Sequence, residues 1–157
     1  MVDYQKRCNI LSDSVISQVP QSVGEWALSN VLFTCQHSGY YAKTEYTENK
    51  TWLVIIDKSI FSLPKIYREA LLATEIAHAY KGQTFDNTLT IEQKEDIADK
   101  LAIEWGFDVI GYKHYCSQIK LKQLQKHNRN RKPTARHITL FGKHPTIKHP
   151  KVNKPRR

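Results

Sequence analysis

The most informative stretch of this sequence for its fold is LATEIAHAY, residues 72–80. It belongs to a longer segment with apolar residues at helical spacing. Ser62, as N-cap, and Pro64, in the first turn, predict where this helix begins, and Gly82 predicts its end after Lys81. In that helix, positions 74 and 78 are one turn apart on one face, with Glu75 beside them.

A second helix is predicted shortly afterwards. Thr90 caps it, and Gln93 stands three residues later, as in a capping box. The helix carries the sequence Glu95-x-x-Ala98-Asp99 and ends at Gly106. The two helices thus place a Glu-x-x-His fragment and a second acidic motif about 20 residues apart.

Residues 69–106 resemble the core of the gluzincin-type metallopeptidases, including the small zincin-like proteins of the cytosol. In that family an H-E-x-x-H helix supplies two histidine ligands to zinc and a glutamate that takes a proton from the metal-bound water. A glutamate on the following helix supplies the third ligand. The resemblance implies that Glu75 is the general base and that His78 and Glu95 are metal ligands.

The sequence departs from the family motif at its first position, where Thr74 replaces a histidine. A neutral alcohol is a poor zinc ligand, because zinc sites favour His, Cys, Asp or Glu. The sequence therefore predicts weak or absent zinc binding and little or no peptidase activity. An alternative is that His37 or His114 folds into the site and supplies the missing ligand.

A purely structural interpretation of the same residues also stands. A single histidine on a half-buried helix face is commonly a hydrogen-bonded core residue, and Glu-x-x-His alone is a weak signal. In that case Glu75, Glu95 and Asp99 would pair with His78 and Lys100 in a structural polar cluster. The domain would then be an unrelated α+β fold.

The fold class predicted from the whole pattern is α+β, a minimal zincin-like core. Residues 3–18 predict an N-terminal helix that ends near Pro20 and Gly24. Three short strands follow, the strongest at Thr51–Ile56, and their short connections predict a mainly antiparallel sheet. The helix with the motif and the helix with the third ligand complete a domain of residues 1–119. This leaves 120–157 as an extended basic tail, whose first residues, 120–126, could extend a helix.

The charges of the chain are divided unequally along its length. All 15 acidic residues lie within 1–108, whereas residues 109–157 contain 14 lysines and arginines and no acid. Such a segment is typical of an arm that binds nucleic acid or an acidic protein surface. The candidate contacts are Lys120, Lys122, Lys126, Arg129, Arg131, Lys132, Arg136, Lys143, Lys148, Lys151, Lys154, Arg156 and Arg157. Residues 137–141 are interpreted as a short strand or as an anchor, and Lys-His-Pro occurs twice after them.

The sequence predicts a cytoplasmic protein. No apolar run is long enough to span a membrane, and the N-terminus lacks the apolar region of a secretory signal. Cys8, Cys35 and Cys116 are widely spaced and odd in number, which favours reduced thiols.

Three functions remain open from the sequence. The first is a catalytically impaired metallopeptidase-like adaptor, with a protein partner in the core groove and the tail on nucleic acid or an acidic partner. The second is an active zinc metallopeptidase whose missing ligand comes from another residue. The third is a structural component of a viral or mobile-element nucleoprotein assembly, for which an AT-rich bacterial or phage genome would suit the Lys-, Asn- and Ile-rich composition.

Overall fold

The computed structural model describes residues 3–82 and 85–130, with side chains through His127. Within these residues the chain is α+β, with five α-helices and one three-stranded sheet. The helices are α1 (Tyr4–Ile16), α2 (Gln21–Asn30), α3 (Lys65–Lys81), α4 (Ile91–Glu104) and α5 (Val109–Asn130), and the strands are β1 (Val31–Cys35), β2 (Ala42–Tyr46) and β3 (Trp52–Ile56).

The N-terminal segment forms two helices, not the single helix that the sequence predicts. Asp3 caps α1 by accepting the backbone N–H of Lys6 at 3.0 Å, and the helix buries Cys8, Leu11 and Val15. Pro20 is the N-cap of α2, and Gly24 lies inside that helix. A Cβ on Gly24 would stand 3.1 Å from the backbone oxygen of Ile16, so this glycine permits the close approach of α2 to the end of α1.

The prediction of a mainly antiparallel sheet is wrong, because the sheet is mixed. The strand order is β1-β3-β2, with β3 parallel to β1 and antiparallel to β2. Short connections force antiparallel pairing only on strands that are consecutive and adjacent. Here the chain passes through β2 on the far side before β3 enters the centre, and β3 therefore runs in the same direction as β1.

Helices α3 and α4 begin and end near the predicted residues. Gly82 ends α3 in the left-handed conformation at φ 61°, and the Thr90–Gln93 capping box of α4 is formed. Ser62 is not the N-cap of α3, because Pro64 takes that position and the Ser62 hydroxyl donates to the backbone oxygen of Ser59. A short 3₁₀ helix, Lys58–Ser62, joins β3 to this point.

The core lies between the sheet and the buried face of α3. Val54 and Ile56 of β3 and Leu72 and Ile76 of α3 are fully buried. Tyr80, in the last turn of α3, stands between two tryptophans: its ring centroid is 5.1 Å from that of Trp26 on α2 and 6.3 Å from that of Trp105 after α4. This aromatic row links three helices around the end of α3.

The chain divides into two units between Gln118 and Ile119, within α5. Of the second unit the structure describes residues 119–130, which are helical, so the tail predicted from residue 120 begins as a helix, as the sequence allows for 120–126. Residues 131–157, including the predicted strand or anchor at 137–141, lie outside the described residues. None of the described helices combines the length and the apolar character that a membrane span requires.

Candidate functional site

Glu75, His78 and Glu95, the three residues predicted to carry the chemistry, line one cavity. Its volume is about 440 Å³, and it lies between the edge strand β2 and the helices α3 and α4. Helix α3 presents Glu75 and His78, while α4 presents Glu95 from the opposite side. The other residues that line the cavity are Tyr40, Ala42, Lys43, Thr44, Ile91 and Lys94.

The carboxyl group of Glu75 is held by Thr44 of β2. The Thr44 hydroxyl oxygen lies 2.6 Å from Glu75 Oε2 and 2.9 Å from the backbone oxygen of Glu75. A hydroxyl has a single proton, so it donates to one of these acceptors at a time. Burial raises the pKa of Glu75, and the nearby charge of Glu95 adds to this, although the Thr44 hydrogen bond and the charge of His78 oppose it.

His78 and Glu95 contact each other across the cavity. His78 Nε2 lies 3.3 Å from Glu95 Oε1, with the His78 side chain mostly buried and that of Glu95 about half exposed. The hydrogen bond from His78 lowers the pKa of Glu95 and outweighs the opposing effect of burial. The two predicted metal ligands are therefore close enough to act together, and they are bonded to one another.

Thr74 lies one turn before His78 on α3, but its short side chain does not line the cavity. It is buried, and its hydroxyl donates to the backbone oxygen of Ala70 at 3.1 Å, one turn earlier in α3. This local bond is a common way for threonine to satisfy its hydroxyl within a helix. Its only proton is used inside the helix, and its oxygen is not presented to the groups of the site.

The other acidic residues of the motif take partners different from those of the predicted polar cluster. Asp99 accepts from the ammonium group of Lys113 on α5, and Lys100 pairs with Asp96 at 2.7 Å. Only the His78–Glu95 contact of the predicted cluster is present among the described ion pairs. Asp99 therefore fastens α4 to α5, away from the groups that line the cavity.

The two histidines proposed as replacement ligands lie elsewhere. His37 Nδ1 is 2.8 Å from Asp57 Oδ2, and His114 Nε2 is 3.1 Å from the side-chain nitrogen of Gln118. Neither residue lines the cavity. Asp57 also accepts the backbone N–H groups of Ser59 and Ser38, which hold its pKa well below the usual range.

These donors do not fit an ordinary zinc site. Such a site takes three or four nitrogen, sulfur or carboxylate ligands from the protein. Among residues 3–82 and 85–127, no three His, Cys, Asp or Glu side chains are grouped so that they could hold a metal ion. His78 and Glu95 make two, and the hydroxyl of Thr74 is turned away.

Thr44 is a site residue that the sequence does not reveal, and Tyr112 lies beside the site without lining its cavity. Thr44 lies on β2, and polar side chains such as those of this strand are typical of a solvent-exposed face. Tyr112 of α5 is close enough for the charge of Glu75 to contribute to its raised pKa, although burial and a hydrogen bond with Cys116 are the larger causes. The alternation along β2 gives a weak signal for Thr44, and Tyr112 gives none.

Only part of the predicted nucleic-acid interface falls within the described residues. Lys120, Lys122 and Lys126 are exposed on α5, and Arg129 belongs to the same helix. Lys122, Lys126 and Arg129 follow one another at spacings of four and three, which places them on one face. The predicted contacts outside the described residues are Arg131, Lys132, Arg136, Lys143, Lys148, Lys151, Lys154, Arg156 and Arg157.

Comparison of the chain with protein-family models, with curated proteins and with solved structures finds no match. The resemblance to the gluzincins consequently depends on the motif residues alone.

Proposed function

We propose that this chain is a binding module with a metallopeptidase-like site that has lost its catalytic competence, and that its basic C-terminal segment binds nucleic acid or an acidic protein surface. The observation that carries the proposal is the state of residues 74 and 75. Thr74 is bonded within its own helix, and the carboxyl of Glu75 is bonded by Thr44. The general base of a zinc hydrolase acts on a metal-bound water, and the described residues do not include the three or four grouped ligands of a zinc site.

The cavity with β2 at its side is the proposed binding groove. Strand β2 is at the edge of the sheet, so its side away from β3 pairs with no other strand of residues 3–82 and 85–130 and can accept an added strand. The hydrogen bonds from Asp57 N to Tyr41 O and from Thr47 N to Thr51 O show that the backbone groups of Tyr41 and Thr47 point toward β3. Along β2 the backbone groups of successive residues point alternately toward β3 and away from it. The backbone groups of Ala42, Thr44 and Tyr46 therefore point to the free edge, where an extended peptide would pair with them.

The experiment that tests the loss of the metal site measures zinc by elemental mass spectrometry in protein purified without a histidine tag. We expect the wild-type chain to contain far less than one zinc per chain and Thr74→His to contain about one. Thr74→Ala is the matched control, since it removes the hydroxyl without supplying a ligand, and it should remain empty.

Two results would contradict this proposal. Stoichiometric zinc in the wild type, with hydrolysis of a protein substrate that Glu75→Gln abolishes, would favour the active metallopeptidase. An empty Thr74→His variant that is folded by circular dichroism would remove the support for a metallopeptidase-like site. The edge-strand groove would then have to be tested on its own.

A further inference from the structure

A second site is indicated by the positions of the two arginines found in residues 3–127. The Arg7 guanidinium lies over the ring of Phe61, with its Cζ atom 4.0 Å from the ring centroid, and the Cζ atom of Arg68 is 5.7 Å from the same centroid. Lys65 precedes Arg68 by one turn of α3. Two guanidinium groups, from α1 and α3, therefore lie by one aromatic ring, and Lys65 lines the same cavity, within a region of the chain whose net charge is negative.

Neither of these arginines forms an ion pair with a described carboxylate. The acidic residue beside them is Glu69, which is almost fully buried. Glu69 Oε1 accepts from the Ser14 hydroxyl at 2.8 Å and lies 3.7 Å from Lys65 Nζ. Its charge is thus already balanced by nearer groups, which leaves the guanidinium groups of Arg7 and Arg68 able to bind an anion.

The same residues line a cavity of about 270 Å³ that also has apolar side chains in its wall. Ile10, Leu11 and Phe61 line it together with Arg7, Ser14, Lys65, Arg68 and Glu69. Ile10 is 59% exposed and lines this cavity. Apolar side chains next to cationic ones accommodate a ligand that brings an apolar side chain between two acidic groups.

We propose that this α1–α3 cleft is a docking site for an acidic peptide segment of a partner protein, with an apolar side chain inserted against Phe61 and Ile10. The chemistry favours a peptide over a phosphate. A phosphate that entered the recess would meet the carboxylate of Glu69, and the Ser14 hydroxyl that could bind it already donates to that carboxylate. The acidic residues of such an occupant have to come from outside residues 109–157, because these contain no Asp or Glu.

This docking site is independent of the proposed function, since the cleft shares no residue with the cavity of Glu75. Its test uses the full chain and fluorescence anisotropy of a short labelled peptide in which glutamates flank a central Leu-Phe pair. We expect the double variant Arg7→Gln/Arg68→Gln to weaken binding by about tenfold or more. The control Lys122→Gln/Lys126→Gln loses the same charge from α5 and should change the affinity by less than about twofold.

A second variant separates docking from simple attraction to the basic segment. Ile10→Glu alters an exposed position, so the variant should still fold. The added carboxylate should weaken binding of the acidic peptide by about tenfold through charge repulsion. Equal losses in both charge variants, or unchanged binding in Ile10→Glu, would overturn the proposal. The proposal would also be overturned if Arg7→Gln/Arg68→Gln lost binding of inorganic phosphate or of an oligonucleotide while binding of the peptide was unaffected. Self-association of the chain through this cleft would overturn it as well.

Discussion

At the scale of single residues, Thr44 and Thr74 determine what the site can do. One hydroxyl bonds the carboxyl that would act as a base, and the other is used within its own helix. Both are hydroxyls on short side chains, so neither can supply the imidazole nitrogen or the reach of the histidine that the gluzincin motif requires. What remains is a buried carboxyl with an elevated pKa beside a His–Glu pair.

The first prediction concerns Glu75→Gln. Burial raises the folded-state pKa of Glu75 above its unfolded value, so keeping it ionised destabilises the fold at pH values above the folded pKa. Glutamine keeps an oxygen for the Thr44 hydroxyl. We expect the variant to be more stable than the wild type at pH 8, on the order of 1 kcal/mol, with an advantage that shrinks as the pH falls toward the unfolded pKa.

Denaturant unfolding at pH 8 and at pH 5 checks this prediction. Glu48→Gln is the control, because Glu48 is an exposed carboxylate in the β2–β3 turn and should show little change at either pH. An advantage for Glu75→Gln that grows as the pH falls would contradict the prediction, because it would mean that the surroundings of Glu75 stabilise the ionised carboxylate.

The residues of the motif can be placed from sequence, whereas their partners cannot. Helical periodicity fixes which side chains of one helix lie together, and the caps of the second helix fix where it begins and ends. Thr44 is 31 residues from Glu75, and their contact depends on the register of β2 and on how α3 crosses the sheet. A single sequence contains no direct signal for such a contact.

At the scale of secondary-structure elements, β2 has two unlike sides. One side is bonded to β3, and the other is the edge at which the groove opens. The mixed sheet is not predictable from the strands alone, because the sequence shows where the strands are but not their order in space. The apolar run of β3 agrees with its position as the central strand. Helix α2 is also not predicted, because a glycine usually marks the end of a helix. Gly24 instead lies within α2, in contact with the end of α1.

The second prediction follows from that free edge. In the chain alone, amide hydrogens of Ala42, Thr44 and Tyr46 should exchange faster than those of Lys43 and Glu45, which face β3. Peptides selected by display against the full chain should slow the first set if they pair with β2. Protection measured by NMR at Lys43 and Glu45 alone, or no change at any of the five, would show that the selected peptides bind elsewhere.

At the scale of the whole molecule, the acidic residues are confined to 1–108 and the last 49 residues carry fourteen positive charges. Arginine and lysine side chains bind polyanions through phosphate or carboxylate oxygens, and the released counterions make such binding depend on salt. Since Phe141 is the single aromatic residue after Tyr115, base stacking contributes little, and weak sequence preference is expected.

The third prediction is a salt slope. If the basic segment binds nucleic acid, the logarithm of affinity for a single-stranded oligonucleotide should fall linearly with the logarithm of salt concentration. Lys122→Gln/Lys126→Gln should reduce that slope by about 1–2 through the loss of two phosphate contacts. The control Lys50→Gln/Lys81→Gln removes the same charge from residues 1–118 and should leave the slope unchanged. Binding to an acidic protein but to no oligonucleotide would assign the segment to the protein partner.

The row formed by Trp26, Tyr80 and Trp105 has an optical consequence. Each ring is held at a defined angle to its neighbour, 82° between Trp26 and Tyr80 and 70° between Tyr80 and Trp105. Rings fixed in this way give near-ultraviolet circular dichroism, and the signal disappears when side-chain packing loosens even if the helices persist. The chain therefore carries its own chromophores at the end of the helix that bears Glu75 and His78. Part of its near-ultraviolet signal reports the packing of that helix without a label, beside the part from the Tyr46–Trp52 pair.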